Sequence, residues 1–82
     1  MENIVSILQD FKTKPGRMSL EDLNKVLVFY TEKLWFIEAE IIAVHGKLTE
    51  YNKIGEYNQT AVAIEKAEWY IDYVENIALT TE

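Results

Sequence analysis

The sequence predicts an all-α protein: a short N-terminal helix, then a long antiparallel helical hairpin of coiled-coil type, gathered into a helical bundle by oligomerisation. Three observations carry this. Apolar residues recur at alternating steps of three and four along most of the chain, the period of one helix face. Breakers are scarce, with Pro15 the single proline and Gly16, Gly46 and Gly55 the only glycines. Finally, 49% of the 82 residues are hydrophobic and 12% aromatic, more apolar matter than a thin helical chain of this size hides within itself.

The whole chain reads as one domain. Its first helix is expected over about residues 2–12, where Ile4, Ile7, Leu8 and Phe11 form a single apolar face. Lys14-Pro15-Gly16 then breaks it, because proline lacks the amide donor and disfavours helix in the residue before it. The second helix opens on a specific signal. Ser19 is a good N-cap, Asp22 stands where a capping box puts its acid, and Met18 and Leu23 hold the two positions of a hydrophobic staple.

From Leu20 the seam runs through Leu23, Leu27, Tyr30, Leu34, Ile37, Ile41, Val44, Leu48 and Tyr51 without a miss. That is an a/d pattern over four heptads. It predicts a second helix over about residues 20–53, roughly 50 Å long at 1.5 Å per residue. A compact globule of this length has a radius of gyration of only about 12 Å, so an elongated molecule is expected, with a partner helix running back along the second. Gly46 falls inside this stretch, away from the seam, at a cost of about 1 kcal/mol relative to alanine. Residues 54–60, with Gly55, Asn58, Gln59 and Thr60, read as the hairpin turn. The third helix is expected over about residues 60–79, where Ile64, Ala67, Ile71, Val74 and Ala78 continue the rhythm, Tyr70 and Ile77 widen the face, and the alanines near its start allow close approach at the hairpin tip.

The helices carry more apolar faces than one seam uses. Val28, Trp35 and Ile42 recur every seven residues on one flank of the second helix; Phe29, Phe36 and Ala43 do so on another. Val62, Trp69 and Tyr73 form a further stripe on the third helix. A helix apolar on every side is normally covered on every side, and large aromatics anchor interfaces. Val28, Phe29, Trp35, Phe36, Ile42, Trp69 and Tyr73 are therefore expected to form an oligomer interface, with a homodimer of hairpins as the simplest case.

Charge narrows the partners. Fourteen acidic residues against eight basic ones give a formal net charge of −6, a field that repels phosphate backbones and anionic lipid. Direct nucleic-acid binding is disfavoured, and a heterologous protein is the expected partner. Glu65, Glu68, Asp72 and Glu75 make a row of carboxylates at helical spacing. Such a row is most simply a solvated helix back; as a functional feature it is an acidic docking face or an imitation of nucleic-acid phosphates. Lys12, Lys14 and Arg17 form a small basic loop, solvated or paired with a neighbour's acidic helix.

Catalytic chemistry has little to stand on. His45 is the only histidine, no Glu-x-x-His pair accompanies it, and there is no cysteine. Thiolate metal sites and disulfides are thus excluded, and one helical row of acids does not surround a divalent ion. No catalytic residues, metal or cofactor are expected, and the chain is read as a non-enzyme. No stretch reaches the roughly 20 apolar residues of a membrane span. The run from Ile4 to Leu8 is short and acidic at its flank, unlike a signal peptide, so a cytoplasmic location is expected.

The stretch Tyr30-Thr-Glu-Lys-Leu-Trp-Phe-Ile-Glu-Ala-Glu-Ile, followed by Ala63-Ile-Glu-Lys-Ala-Glu-Trp-Tyr-Ile, resembles small helical-hairpin accessory proteins of bacteriophages, including the recombination-mediator type. The likeness spans about residues 20–79. That resemblance implies a phage-encoded accessory protein working in the host cytoplasm. The chain departs from the mediator type in lacking a basic surface, so docking on a host or phage protein is the implied role rather than DNA handling. Two further readings stay open: an acidic, nucleic-acid-mimicking inhibitor of a host defence enzyme, and a structural self-assembling scaffold component.

Overall fold

A computed structural model describes the backbone of residues 4–80 and the side chains of residues 4–77. All its regular elements are helical: α1 (Ile4–Thr13), a 3-10 turn (Pro15–Arg17), α2 (Leu20–Ala43) and α3 (Glu50–Thr80). The expected start of the first helix at Glu2 and the expected seam position Ala78 lie outside the described residues or side chains. As expected, α2 and α3 form an antiparallel hairpin and the molecule is elongated, measuring 54 × 27 × 18 Å with a radius of gyration of 15.2 Å.

The N-terminal half follows the sequence closely. Ile7 and Phe11 of α1 are buried, and Leu8 packs against the same core. Pro15 occupies the first position of the 3-10 turn, where its missing N–H costs nothing. Ser19 caps α2, its Oγ accepting the Asp22 N–H at 3.1 Å. Met18 and Leu23, the two staple residues, are both buried in one cluster with Val26 and Ala67. Leu23 and Val26 are wholly buried, at 0% exposure.

α1 lies across its own hairpin rather than reaching away from it. The Phe11 ring sits 6.2 Å from that of Tyr30 on α2, and the Lys66 ammonium of α3 stands 4.5 Å from the Phe11 centroid. Lys66 Nζ also donates to the Phe11 carbonyl at 3.2 Å. That carbonyl belongs to the last turn of α1, which has no intrahelical donor left and favours a cation.

The hairpin turn differs from the expectation. α2 ends at Ala43 rather than Lys53, the turn occupies residues 44–49, and α3 begins at Glu50 rather than Thr60. Gly46 is the cause: its φ of +83° is left-handed backbone, which glycine adopts without the penalty other residues meet. The Gly46 N–H donates to Glu50 Oε2 at 2.7 Å, so the first carboxylate of α3 reaches back and closes the turn. Gly55, Asn58 and Gln59 are instead interior residues of α3. The seam holds from Leu23 to Val44, while Leu48 and Tyr51, which continue its rhythm, are 95% and 86% exposed at the tip.

Moving the turn forward lengthens the hairpin pairing on the α3 side. Below Ile64 the inner face of α3 continues through Thr60, Tyr57, Lys53 and Glu50 at the same three-four steps. These contacts are polar. Tyr57 donates its hydroxyl to Glu38 Oε1 at 3.3 Å, and Lys53 Nζ bridges Glu40 at 2.8 Å and Glu56 at 3.2 Å. Buried Thr60 returns its hydroxyl to the Glu56 carbonyl at 2.8 Å, so no polar atom is stranded there. The fully buried small residue is Ala67, which joins Phe11, Leu23 and Val26 in the core toward the open end of the hairpin.

Candidate interaction surface

The helical step of about 100° per residue separates the exposed apolar residues into distinct stripes. On α2, Val28, Trp35 and Ile42 share one flank and are all exposed, Trp35 at 63%. Phe36, one residue on from Trp35, lies on the next flank and is 74% exposed. Phe29 behaves differently from the other expected interface residues. It is half-buried, its ring edge-on to Tyr30 at 5.3 Å. Together with Ile4, Ile7 and Val28 it lines an open groove of about 580 Å³ between α1 and α2, rimmed by Glu21, Lys25 and Glu32. Sequence reasoning misses this groove because the spacing of Ile4 and Ile7 reads as one wholly buried face.

On α3 the stripe of Val62, Trp69 and Tyr73 is exposed along its length. Trp69 and Tyr73 stack at 5.5 Å with 15° between their planes. Tyr70, half-buried in the core, meets Trp69 edge-on at 4.7 Å and Tyr73 at 6.4 Å. The rings brace one another, so their exposed faces are already ordered.

Glu65, Glu68, Asp72 and Glu75 are all exposed, Glu65 and Asp72 next to that stripe and Glu68 and Glu75 further round the helix. Among the described residues none of the four makes an ion pair. The carboxylates of α2 stand in contrast, since Glu21 meets Lys25 at 3.4 Å, Glu40 meets Lys53 and Glu38 accepts from Tyr57. Lys66, the one base after Lys53, is turned inward to the α1 terminus. Among the described residues the acidic row of α3 therefore meets no lysine at its surface, whereas two carboxylates of α2, Glu21 and Glu40, do.

The remaining charged residues sit at the two ends. Lys12, Lys14 and Arg17 are exposed, and Lys14 approaches Asp10 at 3.7 Å. His45 lies on the exposed turn with Nδ1 3.2 Å from Glu50 Oε2. Hydrogen bonds from the lysine to Glu40 and then Glu56 hold the Lys53 ammonium above the usual lysine pKa. Among the described residues, no three acids or histidines gather as metal ligands, and no helix is long and apolar enough to cross a membrane. The chain matches no protein family, no curated protein and no solved structure in comparison.

Proposed function

We propose that the chain is a non-enzymatic interaction protein that pairs with a second copy through the Val28–Trp35–Ile42 flank of α2 and, as that dimer, docks on a heterologous protein. The observation that carries this reading is the excess of apolar surface. Among the described residues fourteen large hydrophobic side chains are exposed, against seven buried hydrophobic residues. A compact monomer of 9.6 kDa exposes about 5,100 Å², whereas this chain exposes 6154 Å². The surplus of about 1,000 Å² is total area and follows from the elongated shape; it is the fourteen exposed apolar side chains within it that carry the reading.

The α2 flank is the better self-interface on electrostatic grounds. A two-fold dimer presents the same patch to itself, so unanswered like charges on that patch oppose the pairing. Among the described residues, Glu21 and Glu40 on the α2 side each meet a lysine and Glu32 is the one unanswered carboxylate beside the flank, whereas none of the four in the α3 row is paired. The phage setting comes from the sequence resemblance; the docking mode comes from the exposed surface.

Light scattering across a range of concentrations tests the reading, with Trp35→Glu and Trp69→Glu alongside. A dimer that dissociates with Trp35→Glu and persists with Trp69→Glu is expected. A monomer at every concentration overturns self-association through α2.

A further inference from the structure

We infer that the outer face of α3 between Val62 and Glu75 receives a basic amphipathic helix from another protein, its apolar side on Val62, Trp69 and Tyr73 and its arginine or lysine side chains on Glu65, Glu68, Asp72 and Glu75. The inference rests on the interaction reading above and gives the partner a chemistry.

Three features of α3 select that occupant. The first is shape: from Val62 to Tyr73 the stripe extends about 16 Å along one helix, the length of three turns of a helix laid beside it. The second is preparation. Trp69 and Tyr73 are stacked and held by half-buried Tyr70, so a partner need not freeze free rotors, which otherwise weakens association. The third is sign. Glu65 and Asp72 border the stripe, with Glu68 and Glu75 about 60° further round the helix. All four are exposed, no cation stands against them among the described residues, and Lys66 is engaged with Phe11.

Each competing occupant meets this charge badly. Nucleic acid and anionic lipid are repelled. A second copy would set the same four carboxylates against their own counterparts, and like charges in contact oppose binding. A basic helix relieves the mutual repulsion of acids three and four residues apart, which costs a few tenths of a kcal/mol per pair. Its cations also find the tryptophan face, the strongest cation–π acceptor among side chains.

The test is calorimetric titration of the full chain with a synthetic 21-residue helical peptide carrying leucine at heptad positions a and d and arginine at e and g. Two control peptides replace the arginines by glutamate or the leucines by serine. Micromolar binding of the leucine–arginine peptide alone is expected. Either protein variant, Trp69→Ser with Tyr73→Ser or Glu65→Gln with Glu68→Gln, Asp72→Asn and Glu75→Gln, should weaken it at least tenfold. Circular dichroism should show both variants folded, and light scattering should give them the wild-type mass.

No binding by the leucine–arginine peptide overturns the inference, as does equal binding by either control peptide. Affinity unchanged in the variants places the peptide elsewhere on the molecule and overturns it too. A mass that falls in the folded Trp69→Ser, Tyr73→Ser variant assigns the face to a second copy instead. Failure of α2 self-association is read separately, from the wild-type mass, and leaves the titration interpretable.

Discussion

Phe11 and Lys66 join three helices through one small group of atoms. The ring fills the space between α1, Tyr30 and α3, and the ammonium answers a carbonyl that the end of α1 leaves open. Phe11→Ala should cost about 3–5 kcal/mol in urea denaturation, most of the stability of so small a domain. Lys66→Met keeps the stem and removes the donor, and should cost about 1–2 kcal/mol. Lys53 makes a different kind of prediction. Its folded pKa is raised by the Glu40 and Glu56 hydrogen bonds, so its contribution is complete below the unfolded lysine value near ~10.4 and is lost as pH rises through the higher folded value. Thermal scans of wild type and Lys53→Met should therefore run in parallel between about pH 6 and 9 and converge only at strongly alkaline pH. A gap that closes near neutrality would remove Lys53 as the source.

Gly46 and Gly55 show at element scale what the sequence disclosed and what it hid. The capped start of α2, the break at Pro15 and the seam from Leu23 to Val44 were legible because each rests on local chemistry: a side-chain acceptor, a missing donor, a buried face. The turn was not, because apolar rhythm continues through Leu48 and Tyr51 although both residues are exposed there. The inner face of early α3 is built from Glu50, Lys53, Tyr57 and Thr60, which a hydrophobic pattern does not register. Two substitutions separate the observed turn from the expected one. No heavy atom outside the local chain stands within 4 Å of a Cβ added at either glycine, so backbone conformation alone decides the sign. Gly46→Ala forces a left-handed alanine and should destabilise by about 1–2 kcal/mol. Gly55→Ala lies inside a helix and should stabilise by about 0.5–1 kcal/mol. The opposite pair of signs is what a turn over residues 54–60 would give. The exposure of the residues expected at an interface was legible in the same uneven way. Trp35, Phe36, Trp69 and Tyr73 stand exposed as their off-seam spacing predicted, while Phe29 is drawn inward because α1 folds over the start of α2.

For the molecule as a whole, thinness is the governing fact. Two long helices and one short one have a large perimeter for their volume, so the exposed area exceeds that of a compact chain by about a fifth. Burial of that surplus against a second copy would link folding to association, because the dimer binds only the native chain. The unfolding midpoint would then depend on protein concentration. With an unfolding enthalpy of about 0.7 kcal/mol per residue, a dimer of these chains should gain roughly 4 °C in midpoint for each tenfold rise in concentration. Trp35→Glu should flatten that dependence, because a charge at the centre of the α2 flank has no partner once buried. It should leave the dilute-limit midpoint of the chain nearly unchanged, since Trp35 is exposed in the single chain and takes no part in its core. Trp69→Glu should keep the wild-type slope, because Trp69 stands outside the proposed α2 self-interface. A midpoint independent of concentration in the wild type would mean that the hairpin folds and stands alone, and that its apolar flanks are held entirely for other proteins.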